Sequence, residues 1–292
     1  MIMALTACAN TPTAEESFEA FATAAAAIVS EMPTAEPTLP PTPEPTAVPT
    51  PEPTPEPTPH PTAAPTAEAT PQPTARPALP LAGFTIGIDA GHQQRGDYRH
   101  EPISPGGSQT RPRVASGTRG VATGTPEHVL NLAVALRLER LLSDAGADVV
   151  MVRRDADVNI SNSDRAIMMN EAGADLVIRI HADASTQQSI HGATMLTPAG
   201  GAIRAASRDA ADIVYNAYIE ATGARRVGVR EHSDLTGFNW STVPTILIEL
   251  GFMTNPDEDR RMNTEQYRDT MALGLFDGVL QWAAARPPCC PE

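Results

Sequence analysis

Residues 84–92 read FTIGIDAGH, an alternating apolar run that stops abruptly at Asp89-Ala90-Gly91-His92. A short strand that breaks into a glycine turn holds the next side chain above the edge of a sheet, where open α/β sheets place their ligands. His92 is therefore the first candidate metal ligand.

Downstream, the long segment Gln93–Thr125 is polar and rich in Gly and Pro, with no clear periodicity. Loops of that length inside a compact domain are usually functional or disordered. Because this one starts at His92, it is expected to wall the active site. Thr125-Pro126-Glu127 then reads as a helix start, with Thr as N-cap and Pro in the first turn. Val129, Leu132, Ala133, Leu136 and Leu141 follow at helical spacing until Gly146. Glu127 falls in the first turn, where the helix dipole favours a carboxylate.

Strand Asp148–Val152, helix Ser163–Ala172, strand Leu176–Ile180, helix Ala202–Thr222, strand Thr245–Ile248 and helix Thr264–Ala285 complete the pattern. Such alternation implies right-handed crossovers and a three-layer α/β domain, a mainly parallel twisted sheet with helices on both faces. A short antiparallel edge is left open, from either Ile190–Leu196 or Val227–Val229.

Upstream the composition changes. Of 29 prolines, 18 lie between Pro33 and Pro80, mixed with Thr, Glu and Ala, and such a tract lacks the apolar content for a core. Residues 33–80 are thus expected to be a disordered linker with a reach of at most roughly 150 Å. Residues 82–286, a normal size for one α/β domain, are expected to be the catalytic domain, with 287–292 as a tail.

Residues 1–81 hold nine Glu and one Arg of the −14 net charge, whereas 82–286 hold 20 Arg against 25 acidic residues. No basic run offers a phosphate-binding stripe, so nucleic acid is not expected as a partner. Within 1–32, Leu5-Thr6-Ala7-Cys8 resembles a bacterial lipoprotein box, without the charged start and apolar core of a full signal. The expectation is a membrane tether through lipidated Cys8, with a chance match as the alternative. Cys289 and Cys290 are adjacent and suit no disulfide framework.

Two further polar residues close apolar runs: His181 ends LVIRIH and Glu249 ends TILIE. Carboxyl ends of parallel strands share one edge, so His92, His181 and Glu249 should converge there, joined by Glu127 from its helix terminus. Zinc takes three protein ligands and leaves one position for water, while an unligated carboxylate relays the proton. His92, Glu127 and His181 are assigned as ligands and Glu249 as the acid/base, with His128 the rival to Glu127 as ligand.

Four blocks, IGIDAGH (86–92), PEHVLNLAVALRLERLL (126–142), SDRAIMMNEAGADLVIRIHADAS (163–185) and VPTILIELGFMTNPDED (243–259), resemble the zinc-dependent N-acetylmuramoyl-L-alanine amidases of the Amidase_3 family. The family's metal ligands fall on His92, Glu127 and His181 and its catalytic glutamate on Glu249. The resemblance implies one zinc ion per domain and peptidoglycan as substrate, cut between the lactyl group of N-acetylmuramic acid and L-Ala, outside the cytoplasm. A non-catalytic wall-binding homologue and a zinc peptidase acting on the stem peptide are the alternatives. A monomer is expected.

This chain departs from many relatives at Gln93-Gln94, where glycines are usual, and at Arg179, where a small residue is usual. No inserted helical segment that would cover the site is expected between Gly192 and Val243. Lesser candidates are Asp183, as a partner orienting a metal-bound His, Arg165 and Asn170 on the preceding helix, Asn255 after Glu249, and His191 and His232 as substrate contacts.

Overall fold

The computed structural model describes residues 79–286. The assignments for 1–32, nearly all of 33–80 and 287–292 lie outside the described residues.

Among the described residues eight strands and six helices follow one another: β1 (Thr85–Ala90), β2 (Asp97–Pro102), β3 (Thr110–Val114), α1 (Glu127–Asp144), β4 (Asp148–Met151), α2 (Asn162–Glu171), β5 (Leu176–Asp183), β6 (Ala193–Pro198), α3 (Arg204–Thr222), β7 (Arg226–His232), α4 (Thr236–Asn239), β8 (Thr245–Phe252), α5 (Pro256–Met262) and α6 (Glu265–Ala284). The main sheet has the order β4-β1-β5-β8-β6-β7. Its first four strands are parallel. Strand β6 turns antiparallel to β8, and β7 runs parallel to β6, so both candidate edge segments are strands and both reverse direction.

Helices α1, α3 and α6 cover one face and bury the main core, with Leu130, Leu138, Tyr215, Tyr218, Leu275 and Trp282 all at most 1% exposed. Helix α2 closes the other face through Met169 against Val152 and Val177. The architecture is the expected one, a mostly parallel six-stranded sheet between helical layers.

Four local readings need correction. Helix α1 is capped by Pro126, not Thr125. Its buried stripe runs through Glu127, Leu130, Asn131, Val134, Leu138 and Leu142, while Val129 and Leu136 face solvent at about 40% exposure. The helix is apolar most of the way round, so spacing alone did not fix its phase. Strands β5 and β8 continue past His181 and Glu249, because pairing His181↔Glu249 resumes after a bulge at Asp183↔Phe252. The long segment 93–125 contains the hairpin β2–β3, whose strands are charged and carry Pro112, masking the usual strand signal.

The rest of that segment is tied down by Asp259 on α5, which is 0% exposed. Its carboxylate accepts from Ala122 N and Thr123 N at 2.7 Å each, Thr123 Oγ1 at 2.8 Å and Asn263 Nδ2 at 2.9 Å. Removing a buried acceptor orphans those donors. Asp259→Ala is therefore expected to cost about 2–4 kcal/mol of stability, read from urea midpoints at unchanged slope. A midpoint within error of wild type would show that water replaces the carboxylate without loss.

Among the described residues no helix is long and apolar enough to cross a membrane.

Candidate active site

The end of β1 is pinned from behind. Arg153 donates to Ala90 O (2.8 Å), Gly91 O (3.0 Å) and His128 O (2.9 Å). Arg165 donates to Ala90 O (3.1 Å) and His92 O (3.0 Å) and pairs with Asp89 at 2.6 Å. Asp89 also accepts from Arg179 Nε at 2.9 Å. Burial alone would raise the Asp89 carboxyl, but the two guanidiniums hold it well below the usual carboxylate range. This framework fixes His92 at φ 60, a left-handed conformation a non-glycine residue adopts only when its surroundings impose it.

His92 Nδ1 lies 2.8 Å from Ala115 O, and a carbonyl only accepts, so Nδ1 donates there and Nε2 is the nitrogen turned toward Glu127 and His181. That Nε2 is 3.2 Å from Glu127 Oε2 and 3.2 Å from His181 Nδ1, which is 3.3 Å from Glu127 Oε1. Glu127 is held by Thr118 N (2.9 Å), Ala182 N (3.1 Å) and Asn131 Nδ2 (3.1 Å). Burial works to raise its carboxyl, yet the adjacent imidazoles bring it well below the ordinary value. Burial pushes the His181 imidazole down to about 4, so it stays neutral at physiological pH, the form that binds metals.

Two imidazoles and a carboxylate fit zinc in kind, and also in spacing. Ligand atoms around a tetrahedral ion with bonds of about 2.0–2.2 Å are about 3.4 Å apart. Among the described residues, this trio is the group of side chains that converges tightly enough to hold a metal, and His128 is not part of it. Two glycines make room. A Cβ on Gly91 would come within 2.3–2.6 Å of the His181 ring, and one on Gly117, at φ +80, within 2.7 Å of Glu127 Oε2.

Glu249 stands beside the trio, paired in register with His181 on the next strand, and its buried Oε2 has no hydrogen-bond partner. Burial, with the charges of Asp183 and Glu127, pushes its carboxyl well above the ordinary value, against the pull of Arg179. All four residues line a cleft of ≈ 410 Å³. The hairpin supplies Tyr98, Arg111 and Val114 to one wall, and β6–β7 supply Leu196, Arg230 and His232 to the other. An Arg111–Asp234 ion pair of 2.8 Å joins the hairpin to the loop after β7.

The sequence profile of Amidase_3, described as N-acetylmuramoyl-L-alanine amidase, matches residues 86–281, a span that includes His92, Glu127, His181 and Glu249. The chain belongs to the Amidase_3 family. It is 30% identical over 218 residues to an N-acetylmuramoyl-L-alanine amidase of Mycobacterium tuberculosis, covering 70% of this chain and 89% of that one. A crystal structure of N-acetylmuramoyl-L-alanine amidase from Clostridium difficile 630 superposes with a TM-score of 0.59 at 28% identity, over 70% of this chain and 99% of that one. An amidase from Mycobacterium smegmatis shares the fold at TM-score 0.65 and 24% identity, with coverage of 70% and 99%.

Within this Amidase_3 chain the lesser candidates separate. Asp183 lines the cleft but does not bond His181; its carboxylate accepts from Ala184 N at 2.7 Å. Burial and the Glu127 charge raise it to about 6, against that backbone bond. Arg165 is 1% exposed and braces β1 away from the cleft. Asn255 caps α5, accepting from Asp257 N and Glu258 N, and Asn170 ties α2 to Trp240 O and Thr242 N. His232 lines the cleft, whereas His191 is exposed outside it and bonds Ser189 O. Arg153, Asp89 and Gly117 escaped the sequence reading; only Asp89 carried a hint, as a charge inside an apolar strand.

Between Gly192 and Val243 lie β6, α3, β7 and α4. Helix α3 packs into the main core, and from this span β6, β7 and the Leu235–Gly237 start of α4 line the cleft.

Proposed function

We propose that residues 82–286 form a zinc-dependent hydrolase that cuts the amide between the lactyl group of N-acetylmuramic acid and L-Ala of the stem peptide. The observation that carries this reading is the His92–Glu127–His181 trio, with the unpartnered Glu249 carboxylate beside it in one cleft. His92, Glu127 and His181 would hold the ion. Zinc bound there supplies Lewis-acid polarisation of the lactyl carbonyl and a water whose pKa falls to about 7.

The chain's own groups do the rest. Glu249 accepts the proton from the attacking water as oxygen bonds to the carbonyl carbon, then returns a proton to the departing L-Ala nitrogen as the C–N bond breaks. The pinned β1 end and the Glu127 cradle keep donors and acid/base in register, so little reorganisation accompanies the step. A lipid on Cys8, with 33–80 as spacer, would place this activity at the cell envelope.

The test is product analysis. Purified sacculi incubated with the full zinc-loaded chain are expected to release intact stem peptides with new L-Ala amino termini, leaving the glycan whole. Shortened peptides still attached to muramic acid would replace the amidase by a peptidase. No release from a zinc-loaded chain would leave a wall-binding protein.

A further inference from the structure

Strand β7 carries an irregularity that decides what the cleft wall is made of. Its pairing with β6 shifts between Ala193↔Arg226 and Thr194↔Gly228, so Val227 is an extra residue. Gly228 at the shift has φ +141, which suits glycine. The buried Tyr215 hydroxyl locks the distortion, accepting from Val227 N and Gly228 N at 2.9 Å each while donating to Ala193 O at 2.7 Å.

Side chains alternate along a strand, so one inserted residue exchanges the two faces of everything beyond it. Past the bulge, Arg230 pairs with Leu196 and His232 with Pro198, and Leu196, Arg230 and His232 all line the cleft. Without Val227 as the extra residue, the same alternation would present Val229 and Glu231 there instead. Glu231 in fact accepts from Arg204 at 2.8 Å. The bulge therefore makes this wall cationic.

Arg230 is exposed, and among the described residues its guanidinium makes no hydrogen bond and no close ion pair, its charge acting at longer range on the cleft carboxylate Asp183. Other arginines at the cleft are engaged: Arg179 with Asp89 and Asn162, Arg111 with Asp234. We propose that Arg230 is a specificity-determining residue that binds the free α-carboxylate of the second stem-peptide residue. The assignment rests on the amidase reading above.

The reach agrees. Strand β7 lies two strands from β8, and Arg230 is level with Leu247, two residues before Glu249, so the two backbones are about 12 Å apart. Two residues of extended peptide span about 7 Å, and the long arginine side chain covers the remainder. A second residue linked onward through its side chain leaves its α-carboxylate pointing off the peptide, available for a bidentate pair.

The experiment uses the full zinc-loaded chain and two N-acetylmuramoyl tripeptides that differ only in the second residue, its α-carboxylate free in one and carboxamide in the other. Wild type is expected to favour the free carboxylate by about 10–100-fold in kcat/KM, mostly through KM. Arg230→Ala should collapse that ratio towards one, Arg230→Lys should restore part of it, and Glu231→Ala, on the opposite face, should leave it as in wild type. Equal hydrolysis of both substrates by wild type, or a ratio that survives in Arg230→Ala, overturns the proposal while leaving the amidase reading intact. Hydrolysis of neither by wild type removes both.

Discussion

Glu249→Gln is expected to lower kcat by about 10²–10⁴-fold while zinc affinity stays within a few-fold of wild type. The substitution keeps shape and removes the one function proposed for this side chain, accepting a proton at Oε2. Its Oε2 has no hydrogen-bond partner, so the change breaks none of the supports of the three donors, which include Ala115, Thr118, Asn131 and Ala182. A second readout follows from burial. Glu249 has its folded-state pKa raised by burial and by the charges of Asp183 and Glu127. A carboxyl raised on folding favours the native state below the unfolded value of about 4.3 and loses that contribution as pH rises through the folded value. In the metal-free protein the Gln variant should therefore match wild type near pH 4 and become progressively the more stable of the two towards neutrality. Thermal melts across that range, run beside activity assays, check both halves. A variant as active as wild type would move the acid/base role elsewhere, with Asp183 the next carboxylate in the cleft.

The fold was legible because strands and helices alternate with clear stops; His92, His181 and Glu249 stood out because each closes an apolar run, and Glu127 because it opens a helix. The orientation of Glu127 was not legible. The spacing of Val129, Leu132, Ala133 and Leu136 describes a stripe, but an equally apolar stripe through Leu130, Val134 and Leu138 is the buried one, and it is this second stripe that contains Glu127. Tertiary packing chose between two near-equal faces. The hairpin was hidden for a different reason: Asp97, Arg99, Glu101 and Arg113 are satisfied by ion pairs and by the start of α2, not by apolar burial. Polar anchoring of that kind leaves no period in hydrophobicity. The buried arginines behind β1 were equally silent, because a guanidinium that serves backbone carbonyls looks, in sequence, like any surface charge.

The same backbone brace makes Gly91→Ala a small change with a large expected effect on the site. The new Cβ would stand 2.3 Å from His181 Cε1, 2.4 Å from Nε2 and 2.6 Å from Nδ1, all closer than carbon and ring atoms can approach. One side must give. The backbone is held on both edges, Gly91 N donating to Ile180 O at 2.9 Å while Gly91 O accepts from Arg153 at 3.0 Å and Asn131 at 3.3 Å. The His181 ring is the freer partner, for its Nε2 has no hydrogen bond to hold it. Displacing the ring takes Nδ1 away from Glu127 and His92 and leaves two donors where three stood. Zinc affinity is expected to fall by at least about 100-fold, more than the loss of a supporting hydrogen bond causes, with activity partly restored by excess zinc. Overpacking should cost a further ~1–3 kcal/mol of stability. Chelator competition on Gly91→Ala, with circular dichroism to verify the fold, measures both effects. Wild-type affinity in a folded variant would mean that the His181 ring does not rest against Gly91, and the three-donor site would have to be redrawn.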